Sequence, residues 1–139
     1  MVTLAGNDER KQATILFADL CGSTARILHL DVEEVRDFLA PIVELMRGAV
    51  NMYGGQVYRV EGDAVLAVFG APLGQEDQAL RACLTAIELQ RRASNASLSA
   101  SAIEIRVGIH SGEVISWRDA GSGVATAACA TPHRLSLRD

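Results

Sequence analysis

The sequence predicts an α+β fold: an antiparallel sheet with helices on one face. Three observations predict it. The unbroken apolar run Ala13–Ala18 has the length and β-branched content of a buried central strand. Ile103, Ile105, Val107 and Ile109 alternate with Glu104, Arg106, Gly108 and His110, the period of a half-buried strand. Between them, Val35, Phe38, Leu39, Ile42, Leu45, Met46 and Ala49 recur at helical spacing.

The elements follow in order. The first strand ends at Asp19, and Asp19-Leu20-Cys21-Gly22-Ser23-Thr24 is a turn with a capping hydroxyl that opens a short helix. A second helix spans about Val32 to Met52, with Pro41 expected to kink it and Asn51–Gly55 to close it. Gln56–Glu61 and Ala64–Phe69 read as two strands around a tight Glu61-Gly62-Asp63 turn. Gly70–Gly74 is a loop, and Glu76 and Asp77 begin the next helix at the positive end of its dipole. Leu80, Cys83, Leu84 and Ile87 are expected to form that helix's inner stripe, and the helix fades through Ala93–Ser101. The clear strand at Ile103–His110 follows. The resulting order is the ferredoxin-like βαββαβ pattern, in which strands one and three lie side by side and antiparallel at the centre. From Arg118 the composition turns to Ala, Gly, Ser and Thr without an amphipathic period, which predicts a frayed or weakly docked tail. The division is a core over 1–117 and a divergent tail over 118–139.

Composition sets the outer bounds. A chain of 139 residues suits one domain, and 49% hydrophobic with 22% charged residues argues against disorder. A formal charge of −4 gives no global basic footprint for nucleic acid. No apolar run reaches the ~20 residues of a membrane helix, and Met1–Gln12 lacks the apolar middle of a secretory signal. Cys21, Cys83 and Cys129 form no disulfide framework and no CxxC zinc site, which places the chain in a reducing compartment, the cytoplasm. His29, His110 and His133 share no metal-ligand spacing.

The predicted topology carries a chemical implication. Asp19 ends the first strand and Asp63 precedes the third, and in an antiparallel pair those two ends meet. Neither has a cationic neighbour in sequence. Paired carboxylates at a sheet end suit Mg²⁺, which takes oxygen ligands and shares them with substrate phosphates. The helix opening after Gly22 adds backbone N–H groups for phosphate oxygens. Together these parts describe a nucleoside triphosphate site with two metals. The same residues also satisfy a plainer reading: a hairpin corner at Glu61-Gly62-Asp63 and a helix cap at Ser23 or Thr24.

Four stretches resemble the class III nucleotidyl cyclase catalytic domain, the adenylate and guanylate cyclase family. They are Arg10–Thr24 with Phe17-Ala18-Asp19-Leu20-Cys21-Gly22-Ser23-Thr24, and Tyr53–Gly70 with Arg59-Val60-Glu61-Gly62-Asp63. Glu76–Ala82 and Ile105–Val114, with Gly108-Ile109-His110-Ser111-Gly112, complete the set. The likeness covers about residues 10–116, and the ordered set is specific where one motif alone is weak.

The resemblance implies two Mg²⁺ or Mn²⁺ ions, with Asp19 and Asp63 as ligands and the Leu20 carbonyl as an extra one. It implies that Cys21, Gly22, Ser23 and Thr24 wrap the phosphates. Arg59 stands where adenylate cyclases of the family usually carry a lysine that reads the adenine edge; arginine presents its donors differently. The implied substrate is ATP (or GTP), the product a 3′,5′-cyclic nucleotide, and the partner a second copy in a head-to-tail homodimer. Membrane and nucleic acid are not implied. The family's Asn and Arg, which act on the transition state, have no match in Arg118–Asp139, so no residue is assigned there. Two functions are thus weighed: a cyclase making cyclic AMP, and an inactive homologue serving as a dimerisation or nucleotide-binding regulatory module. A diguanylate cyclase would read Gly-Gly-Asp/Glu-Glu-Phe at the hairpin, which Glu61-Gly62-Asp63-Ala64-Val65 does not.

Overall fold

The computed structural model describes residues 9–70, 76–96, 103–118 and 125–129. Its elements are β1 (Glu9–Leu20), α1 (Ser23–Ile27), α2 (Val32–Met52), β2 (Gln56–Glu61), β3 (Ala64–Phe69), α3 (Gln78–Asn95), β4 (Ile105–Arg118) and β5 (Ala125–Cys129). One five-stranded sheet runs in the order β2-β3-β1-β4-β5, and every neighbouring pair is antiparallel. The expected central pairing of the first and third strands is therefore present. The loop expected after Gly70 lies outside the described residues at 71–75, as does the fading of α3 over 97–102. Of the expected C-terminal tail, 119–124 and 130–139 also lie outside them. Within the expected frayed or weakly docked tail, Ala125–Cys129 pairs with β4 as an edge strand.

Strand alternation gives the sheet two different faces. Leu16, Ala18 and Leu20 of β1 and Val65, Ala67 and Phe69 of β3 are buried in the main core. They meet Leu39, Ile42, Met46, Ala49 and Val50 of α2, and Ala82, Leu89 and Ala93 of α3. Both long helices thus cover one face. Ile15, Phe17 and Asp19 are half-buried and alternate onto the opposite face, where Ala13, Val68, Ile15 and Tyr58 form a small second cluster.

Each helix has a local cause. Asp31 caps α2 reciprocally with Glu34: the Glu34 N–H donates to Asp31 Oδ1 at 2.9 Å, and the Asp31 N–H donates to Glu34 Oε2 at 3.0 Å. The helix runs on through Pro41, which is exposed and lacks only the N–H that would reach back one turn. Helix α3 corrects the expected inner stripe. Leu80 and Ile87 are 58% and 66% exposed, and Cys83 is exposed; only Leu84 is half-buried. The buried face is instead Ala82, Thr85, Glu88, Leu89 and Ala93. Small side chains there let the helix approach α2 and the sheet closely, and close packing outweighs the greater apolarity of the outer residues.

Glu88 is the charged member of that buried face. Arg91 donates to it from Nε at 2.9 Å and Arg92 from Nε at 2.8 Å, while Arg92 also reaches the Leu45 carbonyl of α2 at 3.3 Å. The hydrogen bonds from Arg91 and then Arg92 hold the Glu88 carboxyl well below its ordinary value, at about 2. A depressed carboxylate pKa adds stability above the unfolded value, and that stability is lost as pH falls through the folded one. Glu88→Gln is thus expected to lower the urea midpoint at pH 7. The gap to the parent chain should close as pH falls from about 4.5 to about 2.

Candidate functional site

The site begins with register. Asp19 at the end of β1 pairs with Ala64, the first residue of β3, so Asp63 lies one residue beyond that pair at the same end of the sheet. On its other side Asp19 pairs with Arg106 of β4. Alternation sends Asp19, Ala64 and Arg106 to the face opposite the helices.

Asp19 is gripped from β4. Arg106 donates from Nε to Oδ1 at 3.2 Å and from a terminal nitrogen to Oδ2 at 3.1 Å. This two-pronged fit suits a planar guanidinium and a carboxylate. The cation that Asp19 lacks in sequence is therefore supplied across the sheet, 87 positions away. Asp63 is held from the other direction: the Ser23 hydroxyl donates to its Oδ2 at 2.5 Å. Ser23 thus ties the start of α1 to the β2–β3 turn.

The remaining expected residues take distinct places. Leu20 has a buried side chain on the helix-covered face, so only its backbone carbonyl faces the question of ligation. The Cys21 N–H donates to the Glu104 carbonyl at 2.8 Å and is already used by the fold. Gly22 takes the left-handed conformation with φ 68° as the N-cap of α1, a geometry that favours glycine. Thr24 continues α1, and its side chain lies outside the described residues.

Arg59 reaches this face through a device that the sequence reading misses. β2 shifts register between Val57 and Arg59, so Val57 pairs with Ala67 and Arg59 with Leu66. The extra residue, Tyr58, is a β-bulge. Without it Arg59 would alternate toward the helices; with it Arg59 and Glu61 pair with Leu66 and Ala64 on the open face. The signal was present: Val57 and Val60 both pair with helix-side residues yet stand three apart, one more than a regular strand allows. Arg59 forms an ion pair with Glu61. Both line a groove of about 180 Å³ with Phe17, Ala64 and Leu66.

Among the described residues no group of three or more His, Cys, Asp and Glu side chains could hold a metal by itself. Asp19 and Asp63 offer an all-oxygen donor set, which fits a hard divalent cation that completes its shell with phosphate oxygens or water. The residues fit Mg²⁺ or Mn²⁺ as a shared ion, with Arg106 as the competing cation at Asp19.

A family profile described as the adenylate and guanylate cyclase catalytic domain matches residues 6–122. The chain belongs to this family. Adenylate cyclase 1 of Rhizobium meliloti is 29% identical over 111 residues, which is 76% of this chain and 17% of that protein. Among solved structures, the guanylyl cyclase Cya2 is 30% identical with a TM-score of 0.75, covering 90% of this chain and 66% of Cya2. The adenylyl cyclase CyaB from P. aeruginosa is 25% identical with a TM-score of 0.72, covering 91% of this chain and 68% of CyaB. The cyclase domain described here thus spans about two thirds of these solved chains and a small part of the curated relative. No helix among its described residues is long and apolar enough to cross a membrane.

Proposed function

We propose that this cyclase domain converts ATP into 3′,5′-cyclic AMP and pyrophosphate with two Mg²⁺ or Mn²⁺ ions, as a cytoplasmic homodimer. The observation that carries the reading is the pairing of Asp19 with Ala64, which sets Asp63 beside Asp19 at one sheet end. In the reaction the ribose 3′-oxygen bonds to the α-phosphorus, the bond from that phosphorus to the bridging oxygen of pyrophosphate breaks, and the 3′-hydroxyl loses its proton. The two cations, when bound, supply an acidified 3′-hydroxyl and charge neutralisation on the triphosphate.

The chain's own residues do the rest. Asp19 and Asp63 hold the cations, with the Leu20 carbonyl as a further oxygen. Gly22, Ser23 and Thr24 turn the chain around the phosphates; Cys21 serves by its position in that turn, since its N–H is engaged with Glu104. Arg59 contacts the base from the groove it shares with Phe17 and Leu66. Relatives named for adenylate cyclase and for guanylyl cyclase both support the triphosphate substrate class. The first test is incubation of the purified chain with ATP or with GTP and Mn²⁺, followed by chromatography. Cyclic AMP is the expected product. No cyclic product from either nucleotide, at concentrations where the chain is dimeric, overturns the proposal.

Arg106 gives a second test of the same site. A cation at Asp19 competes with the guanidinium for the same negative charge. The pair is partly solvated, with Asp19 16% and Arg106 45% exposed, so its strength is discounted accordingly. Arg106→Gln is expected to tighten Mn²⁺ binding by a few-fold, on the order of 1 kcal/mol or less. Calorimetric titration with Mn²⁺ and a non-hydrolysable ATP analogue reads it. Weaker binding instead would mean that Arg106 chiefly orients Asp19.

A further inference from the structure

Glu61 shares the open face of the sheet with Asp19 and Arg106. It pairs with Ala64, and Arg59 pairs with Leu66, so the two side chains of β2 project to the same side. They form an ion pair, yet each side chain stays 62% exposed. That exposure matters. One contact between them leaves most of the guanidinium's five donors and the carboxylate's roughly four acceptor sites open to a ligand.

The pair borders the groove of about 180 Å³, whose other walls are the half-buried Phe17, Ala64 and Leu66. Pockets that enclose a whole small molecule measure roughly 300–1,000 Å³, so this groove takes one end of a ligand. An aromatic ring and an aliphatic side chain on the walls suit a flat ring. The donor and acceptor at the rim suit one that carries an acceptor and a donor side by side on one edge. The groove meets the Asp19–Asp63 end of the sheet through Ala64, which pairs with Asp19 on one side and Glu61 on the other.

A purine base has such an edge. Adenine sets an exocyclic donor, its 6-amino group, beside a ring nitrogen that accepts. Guanine sets an exocyclic acceptor, its O6, beside a ring N–H that donates. The two bases thus present the same pair of groups in opposite order. For a base entering in one orientation, a fixed arginine–glutamate pair satisfies one order. The other order leaves donor facing donor and lone pair facing lone pair.

We propose that Glu61 is a specificity-determining residue of this site: its carboxylate accepts from the 6-amino group of adenine while Arg59 donates to the neighbouring ring nitrogen. The proposal rests on the reading of ATP as the substrate and adds to it the acceptor for the base. The ion pair with Glu61 also holds the Arg59 guanidinium at the rim of the groove.

The test is calorimetric titration of the full chain with Mn²⁺ and three 3′-deoxy triphosphates, which lack the attacking hydroxyl and cannot cyclise. Their bases are adenine, guanine and unsubstituted purine, which has hydrogen in place of the 6-amino group. The parent is expected to bind the adenine form about tenfold tighter than the purine form, the scale of one hydrogen bond to a charged group with its exposure discounted. Glu61→Ala should bind these two within about twofold of each other. Glu61→Gln keeps an accepting oxygen and should retain a preference of about threefold or more. The purine form keeps the ring nitrogen that Arg59 faces, so a displaced Arg59 weakens both ligands alike and leaves their ratio unmoved. Circular dichroism of both variants should match the parent, since the side chain is exposed. A parent that does not distinguish adenine from purine, a parent that prefers guanine, or an adenine preference that survives in Glu61→Ala overturns the proposal while the triphosphate site stands. Binding of none of the three by the parent overturns the proposal together with the site itself.

Discussion

An Asp63→Ala chain is expected to fold at the parent melting temperature within a few degrees and to lose cyclic-nucleotide formation by roughly 10³-fold or more, the scale on which phosphoryl transfer loses a principal charge-stabilising group. The argument is one of charge placement. Asp63 and Asp19 supply two negative side chains at one sheet end, and on the proposed reading the loss of one removes about half of the charge that would hold the cations. Asp63→Asn separates charge from shape. The amide oxygen still accepts from Ser23, whose hydroxyl bonds Asp63 in the parent, so the α1 tether persists while the charge is gone. Both variants should therefore be inactive in a Mn²⁺-dependent assay, and the Asn variant should melt closer to the parent. Activity preserved in Asp63→Asn would remove the metal-ligand role and leave a turn residue.

The second large effect falls on stability. Phe69 is fully buried at the end of β3, among the largest side chains in the core. Its ring lies over Gly55: a Cβ added there would stand 2.6 Å from two ring carbons and 2.9 Å from a Val50 methyl. The glycine and the phenyl ring are thus a fitted pair. Phe69→Ala leaves a cavity that the backbone of β2 cannot fill, at an expected cost of about 3–5 kcal/mol. Gly55→Ala overpacks the same spot for about 1–3 kcal/mol. Urea denaturation followed by tryptophan fluorescence or circular dichroism reads both. Domains of this size hold about 5–15 kcal/mol in total, so Phe69→Ala should remove a large share of the stability and lower the urea midpoint markedly.

Much of this was legible in the residues themselves. The bounds of α2, β2 and β3 match the periodicity of their apolar positions and the glycines between them. The βαββαβ order then brought the ends of β1 and β3 together, and with them Asp19 and Asp63. Three features were not legible, each for a physical reason. Apolarity ranked Leu80, Cys83, Leu84 and Ile87 above Ala82, Thr85 and Ala93 as core, whereas helix packing selected small size. The bulge at Tyr58 inverts the faces of the residues after it, and a pattern of alternation reads straight through such an insertion unless the spacing of Val57 and Val60 is weighed. The grip of Arg106 on Asp19 depends on strand register across the sheet, which local sequence does not carry.

The position of β1 has a consequence for how the protein is made. Its partner on one side, β4, is far along the chain: Thr14 and Ser111, bonded side chain to side chain at 2.8 Å, are 97 positions apart. A ribosome adds roughly 5–20 residues per second, so the central strand waits on the order of 5–20 s before that neighbour is even synthesised. During that interval an apolar strand has one unpaired edge, open to any extended segment nearby. Non-local closure of this kind slows folding and lengthens the exposure. Soluble yield should accordingly rise when holding chaperones are abundant, and fall when many copies emerge together.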